Sequence, residues 1–102
     1  MRDLNLQPLP NQEFTVELEG HRVDIAIRTS REVMVADVSL DELVLVSGVR
    51  LVAGEPMLPY KYLSTWGNLV LLTQNDELPW WESFGSSQSL VFVSPDEIDA
   101  LP

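Results

Sequence analysis

Two-residue alternation of apolar and polar side chains is the feature that most constrains how this chain can fold. Between residues 13 and 28, every second residue is large and apolar, in two runs separated by Gly20-His21. This period is typical of strands with one buried face, and glycine at the first central position of a two-residue loop favours a type II′ turn. The pattern predicts an antiparallel hairpin with its large apolar groups on one face. The predicted cross-strand pairs are Leu18 with Val23, Val16 with Ile25, and Phe14 with Ile27.

The polar face of this hairpin carries charges of both signs. Each opposite-charge pair across the strands contributes about 0.2–1 kcal/mol. The predicted pairs are Glu19 with Arg22 and Glu13 with Arg28. The same register places Glu17 opposite Asp24, where two carboxylates could hold a cation, remain solvated or meet a nearby arginine. We expect no metal there, because hard cations take six or more oxygen ligands.

Further short strands and turns follow along the chain. Residues 31–40 alternate with apolar groups on both faces, which predicts a strand covered on both sides or lying at an interface. After a turn at Asp41-Glu42, Ser47-Gly48 separates two apolar runs and predicts a second tight hairpin, with Val46 facing Val49 and Val44 facing Leu51. Strands are also predicted at 60–63, 69–73 and 90–93, and a loop or one helical turn at 79–85. Ser94 and Glu97 have the spacing of a capping box, which predicts a short helix.

These elements predict an all-β fold: an antiparallel β-sandwich or small barrel of about seven to eight short strands with a short C-terminal helical turn. The 102 residues suit one domain, and we expect an N-terminal arm over 1–12 and a single all-β domain over 13–102. Because Pro8 and Pro10 interrupt the arm, it either adds an edge strand to its own sheet or lies on a neighbouring subunit. The predicted core comprises Phe14, Val16, Leu18, Val23, Ile25, Ile27, Val44, Leu51, Leu71, Val91 and Val93.

Composition excludes several classes of function. The chain has no cysteine and one histidine, which excludes disulfides, thiolate metal sites and His-rich metal sites. Sixteen acidic against six basic residues disfavour nucleic-acid and anionic-membrane partners, which need clustered Lys and Arg. We expect no membrane span and no cleaved signal peptide, because the apolar runs are short and the first residues contain no apolar region.

The chain also lacks the arrangements that catalysis requires. His21, the one side chain that titrates near neutral pH without perturbation, falls in a predicted exposed turn. A catalytic base needs a partner group and a cleft, and there is no glycine-rich phosphate loop. We therefore predict no catalytic residues, no metal, no cofactor and no enzymatic activity.

Aromatic and apolar residues near the arm and the last strand are the best candidates for binding. Trp80 and Trp81 are adjacent, so their side chains diverge. Either one fills the core while the other covers an end of the domain, or one anchors a partner protein, since Trp and Tyr are enriched at interface hot spots. A carbohydrate platform is less favoured. The candidate protein-interaction residues are Leu4, Leu6, Leu9, Tyr60, Tyr62, Trp66, Trp80, Trp81 and Phe84.

Several segments carry a resemblance to a known family. They are residues 11–20 (NQEFTVELEG), Asp37-Val38 followed by 47–51 (SGVRL), 66–69 (WGNL), 79–85 (PWWESFG) and 90–93 (LVFV). Over roughly residues 9–101 the chain resembles the small baseplate plug proteins of contractile-tailed phages and prophages, although Asp41-Glu42 stands where a glycine-containing turn would be more usual. The resemblance implies an all-β domain without catalysis, located near the hub and tube of the virion tail baseplate after assembly in the host cytoplasm. Hub, tube or wedge subunits are then the expected partners, and self-association in the particle stays open.

Two other classes of function remain as alternatives. An acidic inhibitor that mimics nucleic acid would occupy a basic protein cleft, and it would need carboxylates in rows along one exposed face. Here they are distributed over predicted turns and outer strand positions. The other class is an enzyme or carbohydrate-binding module. A structural baseplate protein is the favoured interpretation.

Overall fold

The computed structural model describes residues 2–58, 66–75 and 77–100, with the backbone alone for 98–100. The strands are β1 (Arg2–Asp3), β2 (Asn11–Leu18), β3 (His21–Ser30), β4 (Val33–Leu40), β5 (Leu43–Arg50), β6 (Asn68–Thr73) and β7 (Gln88–Val93). A 3-10 helix spans Trp81–Ser83, and α1 spans Pro95–Ala100. A four-stranded antiparallel sheet has the order β2-β3-β4-β5, and a three-stranded sheet has the order β1-β7-β6. Both sheets contribute to one core, so the sandwich prediction is confirmed; within the described ranges no pairing closes the sheets into a barrel.

The first hairpin forms, but with a different turn and register. Glu19 and Gly20 make the turn with φ of 50° and 78°, so it has the two positive φ values of a type I′ turn rather than the predicted type II′ turn at Gly20-His21. Val16 consequently pairs with Val23, two residues away from the predicted register. A shift of two residues preserves the faces of both strands, which explains why the predicted inner face is still buried.

The shift changes every predicted charge pair on the outer face. Glu17 pairs with Arg22 instead of with Asp24. Asp24 lies opposite Thr15, whose Oγ1 donates a hydrogen bond to Asp24 Oδ1 at 2.5 Å. Arg22 Nε also lies 3.5 Å from Asp24 Oδ1. The predicted carboxylate pair is therefore wrong, and a hydroxyl and a guanidinium compensate the Asp24 charge.

The predicted second hairpin is also wrong, because Ser47-Gly48 lies inside the single strand β5. The register against β4 shifts between Ala36 and Val38 and again between Val38 and Ser39, as expected of β-bulges. Asp37 stabilises the first irregularity, since its Oδ1 accepts the Gly48 N–H at 2.5 Å and its Oδ2 accepts a hydrogen bond from Arg28. Gly48 has φ of 68°, a conformation that glycine adopts without steric cost.

The three-stranded sheet joins the start of the described chain to its last strand. Arg2 pairs with Phe92 in β7, and the Leu4 N–H donates to the Leu90 carbonyl at 2.9 Å. Of the two alternatives for the arm, the structure shows a strand added to the chain's own sheet. Residues 54–57 lie along the edge of β6 that does not pair with β7, and there the Met57 N–H donates to the Leu69 carbonyl at 2.8 Å.

Apolar side chains from both sheets fill the space between them. Eight of the predicted core residues are buried: Leu18, Val23, Ile25, Ile27, Leu51, Leu71, Val91 and Val93. Phe14 and Val16 are partly buried against the core, whereas Val44 is exposed because the bulges in β5 change its register. Trp66, also buried, stacks on Phe92 with 5.6 Å between ring centroids. Full burial of one aliphatic side chain in this core contributes roughly 1.5–3 kcal/mol to the stability of the fold.

The predicted start of the last helix is confirmed. The Glu97 N–H donates to Ser94 Oγ at 3.3 Å, and Glu97 Oε1 accepts the Ser94 N–H at 3.1 Å, which is a reciprocal capping box. The strand predicted at 60–63 lies outside the described residues. None of the helices found in the described part of the chain has the length and apolarity to span a bilayer.

Candidate protein-interaction surface

Residues Leu78–Trp81, here termed the 78–81 segment, form the most exposed apolar feature next to the start of β7. Leu78 is 78% exposed. The segment follows Glu77 and leads into the 3-10 helix at Trp81. Pro79 restricts the backbone between the two apolar side chains. The segment therefore presents large apolar surface from a loop whose conformation is restricted locally.

A buried glutamine fixes this segment to the sheet. Gln88, the first residue of β7, is only 1% exposed. Its Oε1 accepts the Trp80 N–H at 2.9 Å, and its Nε2 donates to the Leu78 carbonyl at 2.8 Å. One side-chain amide thus satisfies a donor and an acceptor of the 78–81 backbone, as a neighbouring strand would. A surface that is ordered before binding loses less conformational entropy when a partner docks.

Trp80 and Trp81 combine contact with the core and contact with solvent. Their ring centroids lie 6.4 Å apart with the planes tilted by 41°, and both are partly buried against the core. Trp80 Nε1 donates to Glu82 Oε1 at 3.3 Å. Part of each indole supports the fold while part stays accessible to solvent.

The N-terminal arm lies against the loop that follows the 78–81 segment. Leu6 is buried, and a Cβ on Gly85 would lie 2.9 Å from the Leu6 carbonyl oxygen. Leu9, in contrast, is 47% exposed. The Gln12 side chain holds the arm by accepting the Gln7 N–H at 3.2 Å and donating to the Gln7 carbonyl at 2.8 Å. Residues 6–12 of the arm and the loop consequently lie at the same end of the molecule.

The predicted interaction residues separate into three groups. Leu6, Trp66 and Phe84 are buried in the core of this chain, so their side chains are not accessible to a partner. The partly or largely exposed residues are Leu4, Leu9, Trp80 and Trp81. Tyr60 and Tyr62 lie outside the described residues.

Sequence reasoning missed five exposed apolar residues. They are Leu78, Leu43, Val44, Val52 and Leu72. A signal for Leu78 is its position between an acidic residue and Pro79, outside any periodic pattern. Leu43 and Val44 directly follow the Asp41-Glu42 turn, but the predicted second hairpin assigned Val44 to the core.

His21 and Asp41 connect two hairpin turns at the opposite end of the four-stranded sheet. The His21 ring Nδ1 donates to Asp41 Oδ2 at 2.6 Å, and Asp41 Oδ1 accepts the Arg22 N–H at 3.0 Å. Two hydrogen bonds lower the pKa of Asp41: the one from His21 has the larger effect, and the one from the Arg22 N–H has the smaller. The His21 side chain is 40% exposed and binds a carboxylate at a hairpin end, so it acts as a structural link between two turns.

Charges of both signs alternate on the outer face of the four-stranded sheet. Asp37 binds Arg28 and the Gly48 N–H. Both contacts lower the pKa of Asp37, and the hydrogen bond from the Gly48 N–H has the larger effect. Arg22 lies between Asp24 and Glu17. This face therefore carries acidic and basic side chains side by side, with Asp24 and Asp37 in ion pairs. Among the described residues, no three His, Cys, Asp or Glu side chains are arranged to hold a metal ion.

Comparison with known protein families identifies a match over most of the chain. The family model described as the plug gp18 of the cyanophage Pam3 baseplate matches residues 1–96. No curated protein matches this chain in sequence. The family match covers most of the chain, including all seven strands and the 78–81 segment.

Proposed function

The chain belongs to the cyanophage baseplate plug family and is a structural protein of a phage tail baseplate, and we propose that the 78–81 segment docks it onto a hub, tube or wedge subunit. The observation that carries this proposal is the pair of Gln88 hydrogen bonds that holds the exposed Leu78 and the partly exposed Trp80 in one conformation. Tryptophan and pre-ordered apolar anchors supply much of the binding free energy at protein interfaces.

Charge favours a basic partner surface. The 78–81 segment is flanked by Glu77 and Glu82, and from Leu51 onward the sequence has seven acidic residues and one basic residue, Lys61. An acidic surface steers association toward a basic one and repels acidic surfaces. The expected docking site is therefore an apolar pocket with Lys or Arg at its rim.

A non-catalytic role completes the proposal. His21 is engaged with Asp41 at an exposed hairpin end, and catalysis by histidine requires a base oriented inside a cleft. The chain acts as a packed building block that joins the baseplate during particle assembly in the host cytoplasm.

Incorporation into particles tests the docking surface. The gene is deleted from the phage or prophage that encodes it, variants are supplied in trans, and the amount of this chain in purified tails is measured by quantitative mass spectrometry. We expect Leu78→Ser with Trp80→Ser to lower incorporation at least tenfold, because loss of a hot-spot residue costs about 2 kcal/mol or more, which corresponds to roughly thirtyfold in affinity.

Two further variants separate binding from folding. Leu78→Ser alone removes a side chain that is 78% exposed, so it should reduce incorporation without changing stability to urea. Leu72→Ser removes an exposed leucine on β6 and should incorporate as wild type. Wild-type incorporation of the Leu78→Ser/Trp80→Ser chain would refute the proposed surface.

A further inference from the structure

The hairpin end between β4 and β5, residues Asp41–Val44, exposes a second apolar group. Leu43 is 67% exposed and Val44 is 62% exposed, and both lie at the beginning of an edge strand. Residues Asp41–Val44 are termed the 41–44 tip. Successive residues of a strand face opposite sides, so these two side chains leave apolar surface on both sides of the tip for a partner to cover.

The 41–44 tip is held in place by the same type of support as the 78–81 segment. The Asp41 carboxylate binds the His21 ring and the Arg22 N–H, and the Asp41 N–H donates to the Arg22 carbonyl at 2.8 Å. These contacts attach the tip to the neighbouring turn at Glu19-Gly20. The tip thus presents its aliphatic pair from a defined position, which favours binding.

The edge of β5 is unsuited to pairing with a further strand. Two irregularities interrupt its register between Leu43 and Arg50, and the Gly48 N–H already donates to Asp37. Bulges of this kind protect edges against strand addition. Contact at this site therefore takes place through the Leu43 and Val44 side chains and not through backbone hydrogen bonds.

The 41–44 tip and the 78–81 segment lie at opposite ends of the sandwich. The tip is next to the Glu19-Gly20 turn, and Arg2, the partner of Phe92 near the end of β7, donates to the Glu17 carbonyl close to that turn. The 78–81 segment is bound to Gln88 at the start of β7. The five residue steps from Gln88 to Val93 span about 17 Å, so one partner pocket cannot hold both groups.

Charge identifies the kind of partner. The tip end carries Glu19, Asp41 and Glu42; of the arginines beside it, Arg22 is engaged with Asp24 and Arg2 donates to the Glu17 carbonyl. A second copy of this chain is disfavoured, because each copy has a net charge of −10 and both ends of the sandwich are acidic. An apolar pocket with Lys or Arg at its rim matches the exposed leucine and valine together with the surrounding carboxylates.

We propose that the 41–44 tip inserts into a basic-rimmed apolar pocket on a second baseplate protein, so that this chain bridges two subunits. The contact at the tip stands independently of the proposed docking of the 78–81 segment, whereas bridging requires both contacts. Each contact excludes water from a small aliphatic or aromatic group, and simultaneous engagement raises the effective concentration at the second site.

Binding of purified full-length chain to tails assembled without it tests the tip. We expect Leu43→Thr/Val44→Thr to reduce the bound amount at least tenfold, while Val52→Thr, at another exposed aliphatic position, binds as wild type. Glu42→Lys should reduce binding at least fivefold at 50 mM salt and less at 300 mM salt, because salt screens exposed charges. Glu32→Lys, in the turn between β3 and β4, is the matched charge control and should have no comparable effect.

The outcomes distinguish this inference from the proposed function. Reduced binding of the Leu43→Thr/Val44→Thr chain supports the tip contact even when the 78–81 variants bind normally. Wild-type binding of that chain overturns it. Sedimentation of the purified chain at micromolar concentrations addresses self-association: a dimer that Leu43→Thr/Val44→Thr abolishes overturns the assignment to a second protein, and a monomer supports it. Urea unfolding of every variant verifies that the fold is retained.

Discussion

Replacing Gln88 with alanine tests whether burial, and not the number of hydrogen bonds, determines how strongly a side-chain amide stabilises this fold. Gln88 makes two hydrogen bonds to the 78–81 backbone from a position that is 1% exposed. The Gln12 side chain makes the same two-bond pattern with the backbone of Gln7, but in an exposed setting. The chain thus contains a matched pair of sites.

The expected losses differ because water can replace only the exposed amide. Gln88→Ala leaves a donor and an acceptor without partners in a partly buried place, at about 1 kcal/mol each, and removes buried side-chain atoms worth roughly another 1 kcal/mol. We expect the free energy of unfolding to fall by about 3 kcal/mol. Gln12→Ala should cost about 0.5 kcal/mol, because solvent satisfies the Gln7 peptide groups.

Urea unfolding followed by tryptophan fluorescence measures both variants. The midpoint should fall strongly for Gln88→Ala and slightly for Gln12→Ala, with an unchanged slope, because neither variant alters the surface exposed on unfolding. In thermal unfolding, a loss of this size corresponds to a decrease in Tm of more than about 10 °C. Equal losses for the two variants, or a loss below about 1 kcal/mol for Gln88→Ala, would refute the argument from burial.

Three further substitutions test other parts of the fold. Gly67→Ala should lower the free energy of unfolding in urea by several kcal/mol, on the order of an overpacked core site, because its Cβ would lie 2.4 Å from the Phe92 ring and 2.7 Å from the Val93 carbonyl. Gly54→Ala, where no atom lies within 4 Å of the added Cβ, should lower it much less. A similar loss for both variants would contradict the steric reasoning. Asp41→Asn should reduce stability at neutral pH and progressively less as the pH falls. The lowered pKa of Asp41 contributes stability above its unfolded value of about 3.9, and this contribution is lost as pH falls through the folded pKa. A constant difference between wild type and variant from neutral to acidic pH would exclude the linkage. Ser94→Ala should lower stability by about 1 kcal/mol through loss of the capping bond to the Glu97 N–H, and Ser30→Ala at an exposed strand end is the control that should unfold at the wild-type midpoint.

The faces of the strands were predictable from the sequence, whereas register was not. Val23, Ile25 and Ile27 are buried as the alternation requires, because the two-residue period depends only on which side of the strand each residue occupies. The type of turn depends on a smaller free-energy difference than the burial of an apolar strand face does. Glu19 adopts positive φ, which is unusual for glutamate. The resulting turn shifts every cross-strand pair by two residues from the predicted register.

The register of the edge strand β5 was even harder to predict from the sequence. Ser47-Gly48 has the composition of a tight turn, but β4 pairs with residues on both sides of it, from Leu43 to Arg50, and the Asp37 carboxylate stabilises the glycine as part of a bulge. This long-range contact is invisible in local sequence. Consequently the exposed positions of Leu43 and Val44 could not be predicted. The support of the 78–81 segment by Gln88 depends on tertiary contacts in the same way, although the aromatic residues of the segment were identified.

The pairing of β1 with β7 has a consequence for how the polypeptide matures during translation. Residues 11–50 are contiguous and contain the whole four-stranded sheet, so this half can organise while the ribosome is still producing the remainder. Arg2 and Asp3 precede this sheet in the chain, yet their partners Phe92 and Val91 follow it. Pairing of β1 therefore waits until β7 has been synthesised.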